Sequence, residues 1–211
     1  MARQSASSYL SDKHNGRVGV VVGNGISRKS FDLNDIRAAG VVMFGCNALY
    51  RDIDADYICA FDTEMLRELS MEYSGAVIAE PVQEIAELGI MQPWWLEYDG
   101  TKVPNSGAMA LWCALFSGCN PVYLLGFDGN PVTSAGSNNN IYVGSKNYDI
   151  VYHDPAAILT ARKGDFELVM CSLGPRALSV TQVGTERYDC PSISGELFMS
   201  MLFRPDRPIS V

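Results

Sequence analysis

The chain has 211 residues, of which 47% are hydrophobic, so it is long enough to bury one substantial core. Its 16 Lys and Arg residues against 24 Asp and Glu residues give a formal charge of -8, which disfavours a nucleic-acid partner. No apolar stretch reaches the roughly 18 residues of a membrane span, so the sequence predicts no transmembrane helix.

The polar amino-terminal segment, residues 1–17, has no apolar core of signal-peptide length and predicts a flexible leader. The six cysteines show no C-x-x-C spacing, and four of them lie within or beside apolar runs, where free thiols commonly pack. Buried thiols are typical of a reducing compartment, so we expect a cytoplasmic protein without a disulfide framework or a structural zinc site.

An apolar run over residues 18–22 ends abruptly in Gly23-Asn24-Gly25. A short β-rich run bounded by glycines predicts a buried strand, and glycines just past its carboxyl end let backbone N–H groups approach a ligand such as a phosphate. The spacing is not G-x-G-x-x-G, and no G-K-[ST] follows. A ligand loop and a plain strand-to-helix turn therefore both explain this motif.

The following segments alternate between strand and helix patterns. In chain order they predict a helix over 31–39 capped by Ser30, strands over 41–46 and 57–61, a helix over 63–73, a strand over 76–79, helices over 82–88 and 106–118, a strand over 121–126, a helix over 155–162 and a strand over 166–172. The helix over 106–118 is apolar around most of its circumference and should be largely buried. This alternation predicts an α/β fold, a single Rossmann-like, mostly parallel, doubly wound sheet in three α/β/α layers.

Two segments lack a clear periodicity. Residues 130–150 are polar and longer than an ordinary connection, which predicts a lid, a binding loop or a mobile segment. Residues 174–211 carry four prolines and predict a tail that wraps the domain or docks on an assembly partner, including another copy of the chain. The expected organisation is a leader over 1–17, a domain over 18–173 and a tail over 174–211.

Ligands of doubly wound sheets bind beyond the carboxyl ends of the strands, and polar or glycine-containing turns follow four of the predicted strands here. We therefore predict one site at that edge. The residues expected there are Gly23, Asn24, Gly25, Cys46, Asn47, Asp62, Gly126, Phe127 and Asp128, with Ser106 and Gly107 at the start of the buried helix as candidates for phosphate binding.

Each of these polar residues also has an ordinary structural explanation. Asn47 could form an Asx-turn, and Asp62 and Ser106 could each cap a helix. Asp52, Asp54 and Asp56 precede a predicted strand, which places them at the edge opposite the site, so we predict a solvated loop and no metal site.

The two histidines differ in their surroundings. His14 lies in the polar leader, whereas His153 follows the long polar segment and is a candidate general base. A surface or capping histidine is the alternative at that position. No G-x-S-x-G elbow is present, so nothing predicts a Ser-His-Asp hydrolase.

Five short segments keep the order and approximate spacing of a known family. They are Val-Val-Gly-Asn-Gly-Ile-Ser at 21–27, Gly-Cys-Asn at 45–47, Ser-Gly-Ala-Met at 106–109, Tyr-Leu-Leu-Gly-Phe-Asp at 123–128 and Tyr-Val-Gly-Ser-Lys-Asn-Tyr-Asp at 142–149, followed by a late strand with Cys171 and Pro175. In this succession the chain resembles the bacterial sialyltransferases of glycosyltransferase family 42 and related Rossmann-like phage and bacterial proteins.

The resemblance implies a GT-A-like fold that binds a nucleotide-sugar donor, a CMP-sugar, and an acceptor that the sequence does not identify. It assigns donor binding to Asn24, Ser27, Asn47, Ser106 and the turn at 126–128. It also implies an inverting transfer that requires no metal ion or other cofactor, in a bacterial or phage-infected cell.

The sequence departs from that family at the catalytic position. The family's histidine stands just before a Ser-Lys-Asn, whereas here Gly144 runs straight into Ser145-Lys146-Asn147. The family's donor-phosphate tyrosines after the Gly-x-Asp turn also have no counterpart in 130–140. The remaining candidates for the base are His153, Tyr142 and Tyr148, and the alternative is a fold that binds a donor without transferring it.

Two further hypotheses belong to other classes. The Asn-Ser-Gly-Ala at 105–108 and the Leu-Gly-x-Asp at 125–128 resemble hydroxymethylpterin pyrophosphokinases. That resemblance implies ATP, magnesium and recognition through Asp62 and Asp128. The other hypothesis is a non-catalytic structural or interaction protein, for example a virion component.

Overall fold

The structure is a computed structural model that describes residues 4–79, 93–95, 105–130, 138–148, 155–184 and 188–204. The helix predicted over 82–88, the candidate base His153 and the last seven residues of the predicted tail lie outside these ranges. Within them, no helix is both long and apolar enough to cross a membrane.

The described residues contain nine strands and six α-helices. The strands are β1 (Gln4–Ser5), β2 (Gly19–Val22), β3 (Val42–Cys46), β4 (Tyr57–Cys59), β5 (Ala76–Ala79), β6 (Pro93–Trp95), β7 (Val122–Leu125), β8 (Val180–Val183) and β9 (Ser192–Ile193). The helices are α1 (Ala6–Leu10), α2 (Leu33–Ala38), α3 (Thr63–Glu72), α4 (Ser106–Phe116), α5 (Pro155–Leu173) and α6 (Gly195–Leu202). Short 3-10 helices cover Ile26–Ser30, Asn47–Arg51 and Gly174–Ser179.

All nine strands join one sheet in the order β1-β6-β5-β4-β3-β2-β7-β8-β9, and every neighbouring pair is parallel. β2 lies between β3 and β7, so the strand order reverses there and a crevice opens beyond the carboxyl end of β2. The predicted α/β fold with a parallel, doubly wound sheet is confirmed.

Two buried clusters cover the two faces of the sheet, which gives the predicted three layers. Val21, Phe44 and Leu124 pack on one face with α4 and α5. On the other face Val20 and Met43 pack with α2, α3 and α6. Successive side chains of a strand point to opposite faces of the sheet, so neighbouring residues such as Val20 and Val21 pack in different layers. Because both faces are covered, strands such as β2 and β7 are continuous apolar runs.

α4 is the most buried helix of the described residues. Every residue from Ser106 to Leu115 is buried, as its apolar composition predicts, and the helix packs against β2, β3, β4 and α5. α2 is shorter than predicted, and Asp32 rather than Ser30 caps it by accepting a hydrogen bond from the Asn34 backbone N–H at 2.8 Å.

The strand predicted over 166–172 is wrong, because these residues belong to α5. Phe166 and Val169 are buried whereas Glu167 and Leu168 are exposed, which is the period of a helix lying on a core. The strand occurs later, as β8. Three elements of the predicted tail, β8, β9 and α6, therefore belong to the fold, and both strands join the sheet.

The described part of the predicted flexible leader is folded. β1 pairs with β6, Leu10 is fully buried, and His14 packs edge-on against Phe44 and Tyr57. Although most residues of this segment are polar, Tyr9, Leu10 and His14 make apolar and aromatic contacts with the rest of the domain.

The packing of His14 predicts a loss of stability in mild acid. Burial lowers its pKa from the ordinary value of 6.5, nearby Arg17 and Lys13 add to that effect, and Asp56 opposes it. A folded-state pKa below the unfolded value favours the neutral ring, so the contribution is complete above about pH 6.5 and is lost as the pH falls toward the folded pKa.

Urea unfolding at about pH 7.5 and about pH 5.5 measures this effect. We expect the midpoint of the wild type to fall between these pH values by more than that of His14→Gln, which cannot titrate. Equal falls in the two proteins would show that His14 does not contribute.

Candidate functional site

A cleft of about 450 Å³ opens at the carboxyl ends of β2, β3, β4 and β7. Every donor-binding residue predicted from the sequence lines it, except Ser27. The residues brought together are Gly23, Asn24, Gly25, Asn47, Asp62, Ser106, Gly107, Gly126, Phe127 and Asp128.

The glycine loop is shaped by its contact with the neighbouring turn. The Gly23 backbone N–H donates to the Leu125 carbonyl at 2.8 Å, and that of Gly25 donates to the Gly126 carbonyl at 2.9 Å. A Cβ at either glycine would lie 2.6 Å from the Gly126 carbonyl oxygen. Both N–H groups are therefore used inside the protein, and close packing alone requires these glycines.

Asn24 and Asn47 line the cleft, and each has a buried side-chain oxygen that no protein group satisfies. Asn24 Nδ2 donates to the Tyr148 hydroxyl at 3.2 Å, but its Oδ1 has no hydrogen-bond partner. Asn47 Oδ1 is also buried without a partner, so the Asx-turn that would explain this residue is not formed. A buried polar atom left unpaired costs about 1–3 kcal/mol, which a ligand that donates hydrogen bonds would recover once the two amides turn toward it.

The backbone of Asn47 is also unusual. Its φ of 53° lies in the left-handed region, which asparagine tolerates better than most residues other than glycine. This residue begins the 3-10 helix that follows β3 and lines the cleft. Strained backbone of this kind is concentrated at functional sites.

The start of α4 is capped by Asn105, which the sequence analysis missed as a cap. Its Oδ1 accepts hydrogen bonds from the Gly107 and Ala108 backbone N–H groups, both at 3.1 Å, and its Nδ2 donates to buried Asp165 at 2.9 Å. Ser106 is therefore the first helical residue and not the N-cap, and it lines the cleft. An asparagine directly before Ser-Gly was the available signal.

Asp62 and Asp128 both line the cleft but differ in their contacts. Asp62 is exposed and stands before α3 without forming a side-chain capping hydrogen bond. Both carboxylate oxygens of Asp128 accept from Ser27, one from its hydroxyl and one from its backbone N–H at 3.1 Å. Ser27 and Asp128 thus tie the 3-10 helix at 26–30 to the turn after β7, which accounts for both residues without a ligand.

Two of the three candidates for the general base, Tyr142 and Tyr148, lie in different places. Tyr142 does not line the cleft: its hydroxyl accepts from Arg28 and donates to Asp52, each at 2.7 Å. Tyr148 does line it, and burial raises the pKa of its hydroxyl more than hydrogen bonds from Asn47 and Ala48 lower it. Tyr148 therefore stays protonated at neutral pH, which suits a donor and not a base. His153 lies outside the described residues and stays a prediction.

The described part of the predicted lid, residues 138–148, is fastened to the domain. Asn139 Oδ1 accepts from the Ile26 backbone N–H at 3.0 Å. Arg51 donates to the Ser145 hydroxyl at 2.8 Å and to the Lys146 carbonyl at 3.0 Å. These contacts, with that of Tyr142 to Asp52, hold residues 138–148 against the domain, where Asn139, Asn140 and Tyr148 line the cleft.

Several lining residues were not assigned to the site from the sequence. They are Phe61, Asn105, Gly129, Asn130, Asn139, Asn140, Arg162, Phe166 and Tyr188. Cys46 lies at the edge where it was expected, and burial raises its pKa to about 12, so the thiol is unreactive at neutral pH. Across the described ranges, no three His, Cys, Asp or Glu side chains lie close enough together to hold a metal ion.

The comparisons with known proteins bear on the fold. Neither a protein-family model nor a curated protein sequence matches the chain significantly. Among solved structures, the chain is similar to the MAf glycosyltransferase from Magnetospirillum magneticum AMB-1, with a TM-score of 0.56 and 14% sequence identity. The match covers 90% of this chain and 37% of that one, so the chain spans little more than a third of its structural relative. The likeness shows that the chain has a fold found within a glycosyltransferase.

Proposed function

We propose that this chain is a glycosyltransferase-like domain that binds a nucleotide-sugar, a cytidine one, in the cleft at the carboxyl ends of β2, β3, β4 and β7. The observation that carries the proposal is the pair of buried, unpaired oxygens on Asn24 and Asn47. Both require hydrogen-bond donors. The ribose hydroxyls and the amino group of cytosine are donors, and the cleft volume of about 450 Å³ is in the range of small-ligand sites.

The start of α4, which also lines the cleft, suits a phosphate group. The N-terminus of α4 carries a partial positive charge, and the Ser106 side chain lies beside it at the cleft. Arg162 of α5 adds a cation to the lining. Asp62, an exposed acceptor at the same edge, fits the hydroxyl groups of a sugar and would repel a second phosphate.

The proposed reaction is a metal-independent, inverting transfer. The bond between the anomeric carbon and the donor phosphate oxygen breaks, and its electron pair leaves with CMP. A new bond forms from an acceptor hydroxyl oxygen to the anomeric carbon, and the hydroxyl proton passes to a base. We propose His153 as that base, because Tyr142 lies outside the cleft and Tyr148 retains its own proton.

Calorimetry with CMP, CDP, UDP and ATP, with and without magnesium, tests the proposal. We expect CMP to bind without magnesium. Asn24→Ala and Asn47→Gly should each weaken CMP binding by about 1–3 kcal/mol, which is roughly 5- to 150-fold. Glycine is chosen at position 47 because it tolerates the left-handed backbone there.

The control variant is Asn34→Ala, since Asn34 is exposed on α2 and does not line the cleft. His153→Ala should bind CMP like the wild type while losing CMP release from a CMP-sugar. Unchanged affinity in both Asn24→Ala and Asn47→Gly would remove the proposed site. Magnesium-dependent ATP binding would favour the pyrophosphokinase hypothesis, and no binding of any nucleotide would favour a structural protein.

A further inference from the structure

A second pocket, of about 440 Å³, lies beside the cleft between α5 and the β7–β8 half of the sheet. Its inner wall is apolar, because Leu124, Phe166 and Val180 line it and each is at most 3% exposed. Its volume is in the range of small-molecule sites. The contacts of the proposed donor site leave this pocket unused.

The pocket and the cleft share an aromatic border formed by Phe166 and Tyr188. Phe166 and Tyr188 line both spaces, and their rings are stacked with centroids 4.3 Å apart. Phe127, which lines the cleft, meets Phe166 edge-on at 5.2 Å. Molecules in the two spaces would therefore contact the same two side chains.

The outer rim of the pocket is charged. Lys163, Glu167 and Asp189 are exposed there, one cation against two anions. This balance disfavours a polyanionic occupant and suits a molecule that is uncharged or carries both signs. An apolar floor below a polar rim fits an amphipathic molecule, whose apolar body would cover the half-buried side chains of Met170 and Tyr188.

We propose that this pocket binds the acceptor, a small amphipathic alcohol that is neutral or zwitterionic, with its apolar part inside and its hydroxyl group extending past the aromatic border into the cleft. The assignment rests on the proposed function, because a transferase requires the acceptor beside the donor. When the donor and the acceptor are held in adjoining sites, the transfer becomes an effectively unimolecular step, because the two reactants no longer have to meet in solution.

Cys171 provides a direct readout in the wild-type chain. It lines the pocket and is exposed, whereas the five other cysteines are buried. Phenyl β-galactoside and octyl β-galactoside are suitable probes, and free galactose controls for the sugar without an apolar part. We expect either probe to slow alkylation of Cys171 by iodoacetamide severalfold in a saturable manner, and galactose to leave the rate unchanged.

A variant pair locates the effect. Cys171→Trp should fill the pocket and abolish probe binding measured by saturation-transfer NMR, whereas Leu168→Trp, on an exposed residue of α5 that does not line the pocket, should bind the probes normally. Failure of both probes to protect Cys171, or equal binding to Cys171→Trp, would overturn the assignment. If Cys171→Trp does not fold, the protection experiment alone decides.

CMP calorimetry on the same proteins separates this inference from the proposed function. Cys171→Trp should bind CMP like the wild type, and Asn47→Gly should lose CMP affinity while keeping the probes. CMP binding without probe binding would overturn only the acceptor pocket. Probe binding without CMP binding would overturn the donor site and, with it, the role of the pocket as an acceptor site.

Discussion

Replacing Asp52 by alanine is expected to cost about 3 kcal/mol of unfolding free energy, because it leaves the charge of Arg28 buried without its counter-ion. Arg28 is only 3% exposed, and its Nη2 lies 2.5 Å from the Asp52 carboxylate. Its Nε already has no hydrogen-bond partner. Tyr142 would remain as a neutral partner at 2.7 Å, which cannot balance a buried charge.

Asp54→Ala is the matched control two residues further along the chain. Asp54 is 78% exposed, and its carboxylate lies 3.8 Å from Arg37, a geometry in which an ion pair contributes about 0–1 kcal/mol. Urea unfolding of both variants measures the difference. Equal losses in the two variants, or a loss below about 1 kcal/mol in Asp52→Ala, would show that Arg28 does not depend on this carboxylate.

Gly23→Ala should lower the free energy of unfolding by about 3 kcal/mol, which is the upper end of the usual cost of overpacking. The new Cβ would lie 2.6 Å from the Gly126 carbonyl oxygen and 3.1 Å from its carbon. Both are backbone atoms and cannot swing away like the end of a side chain. Relief requires the ends of β2 and β7 to separate, so we also expect weaker CMP binding.

Gly164→Ala is the control for this substitution. Gly164 lies within α5, and a Cβ there meets no atom within 4 Å. Alanine in an open helical position should stabilise the protein by about 0.5–1 kcal/mol relative to glycine. Thermal unfolding should therefore move in opposite directions for the two variants, and a neutral Gly23→Ala would contradict the close contact with the turn.

The position of the cleft follows from the sequence, because apolar runs mark parallel strands and their ends meet at one edge of the sheet. Asn24, Asn47 and Ser106 come together there although they are far apart in the chain. Two expected structural roles are not found: Asn47 forms no Asx-turn, and Asn105 rather than Ser106 is the cap of α4. For Gly23 the structural explanation is sufficient, which the sequence motif alone did not reveal.

Other features depend on long-range contacts that periodicity does not encode. Arg28 follows a glycine turn and reads as a surface residue, yet it is buried by Tyr142, more than a hundred positions away. His14 reads as part of a polar leader until Tyr57 and Phe44 are placed beside it. In α5, Gly164 is typical of a loop and the apolar residues after it are typical of a strand. Only the burial of Phe166 and Val169 in the core identifies this segment as a helix.

Because β2 lies between β3 and β7, the cleft can form only late in folding. β3 follows β2 closely in the chain, whereas β7 follows only after about a hundred residues, and pairings of such separation form slowly. During synthesis the half of the sheet from β2 to β6 can assemble while one edge of β2 is still unpaired. Asn24 and Asn47 belong to that early half, but the turn after β7 completes their surroundings. The complete cleft thus exists only after the two halves of the sheet have joined.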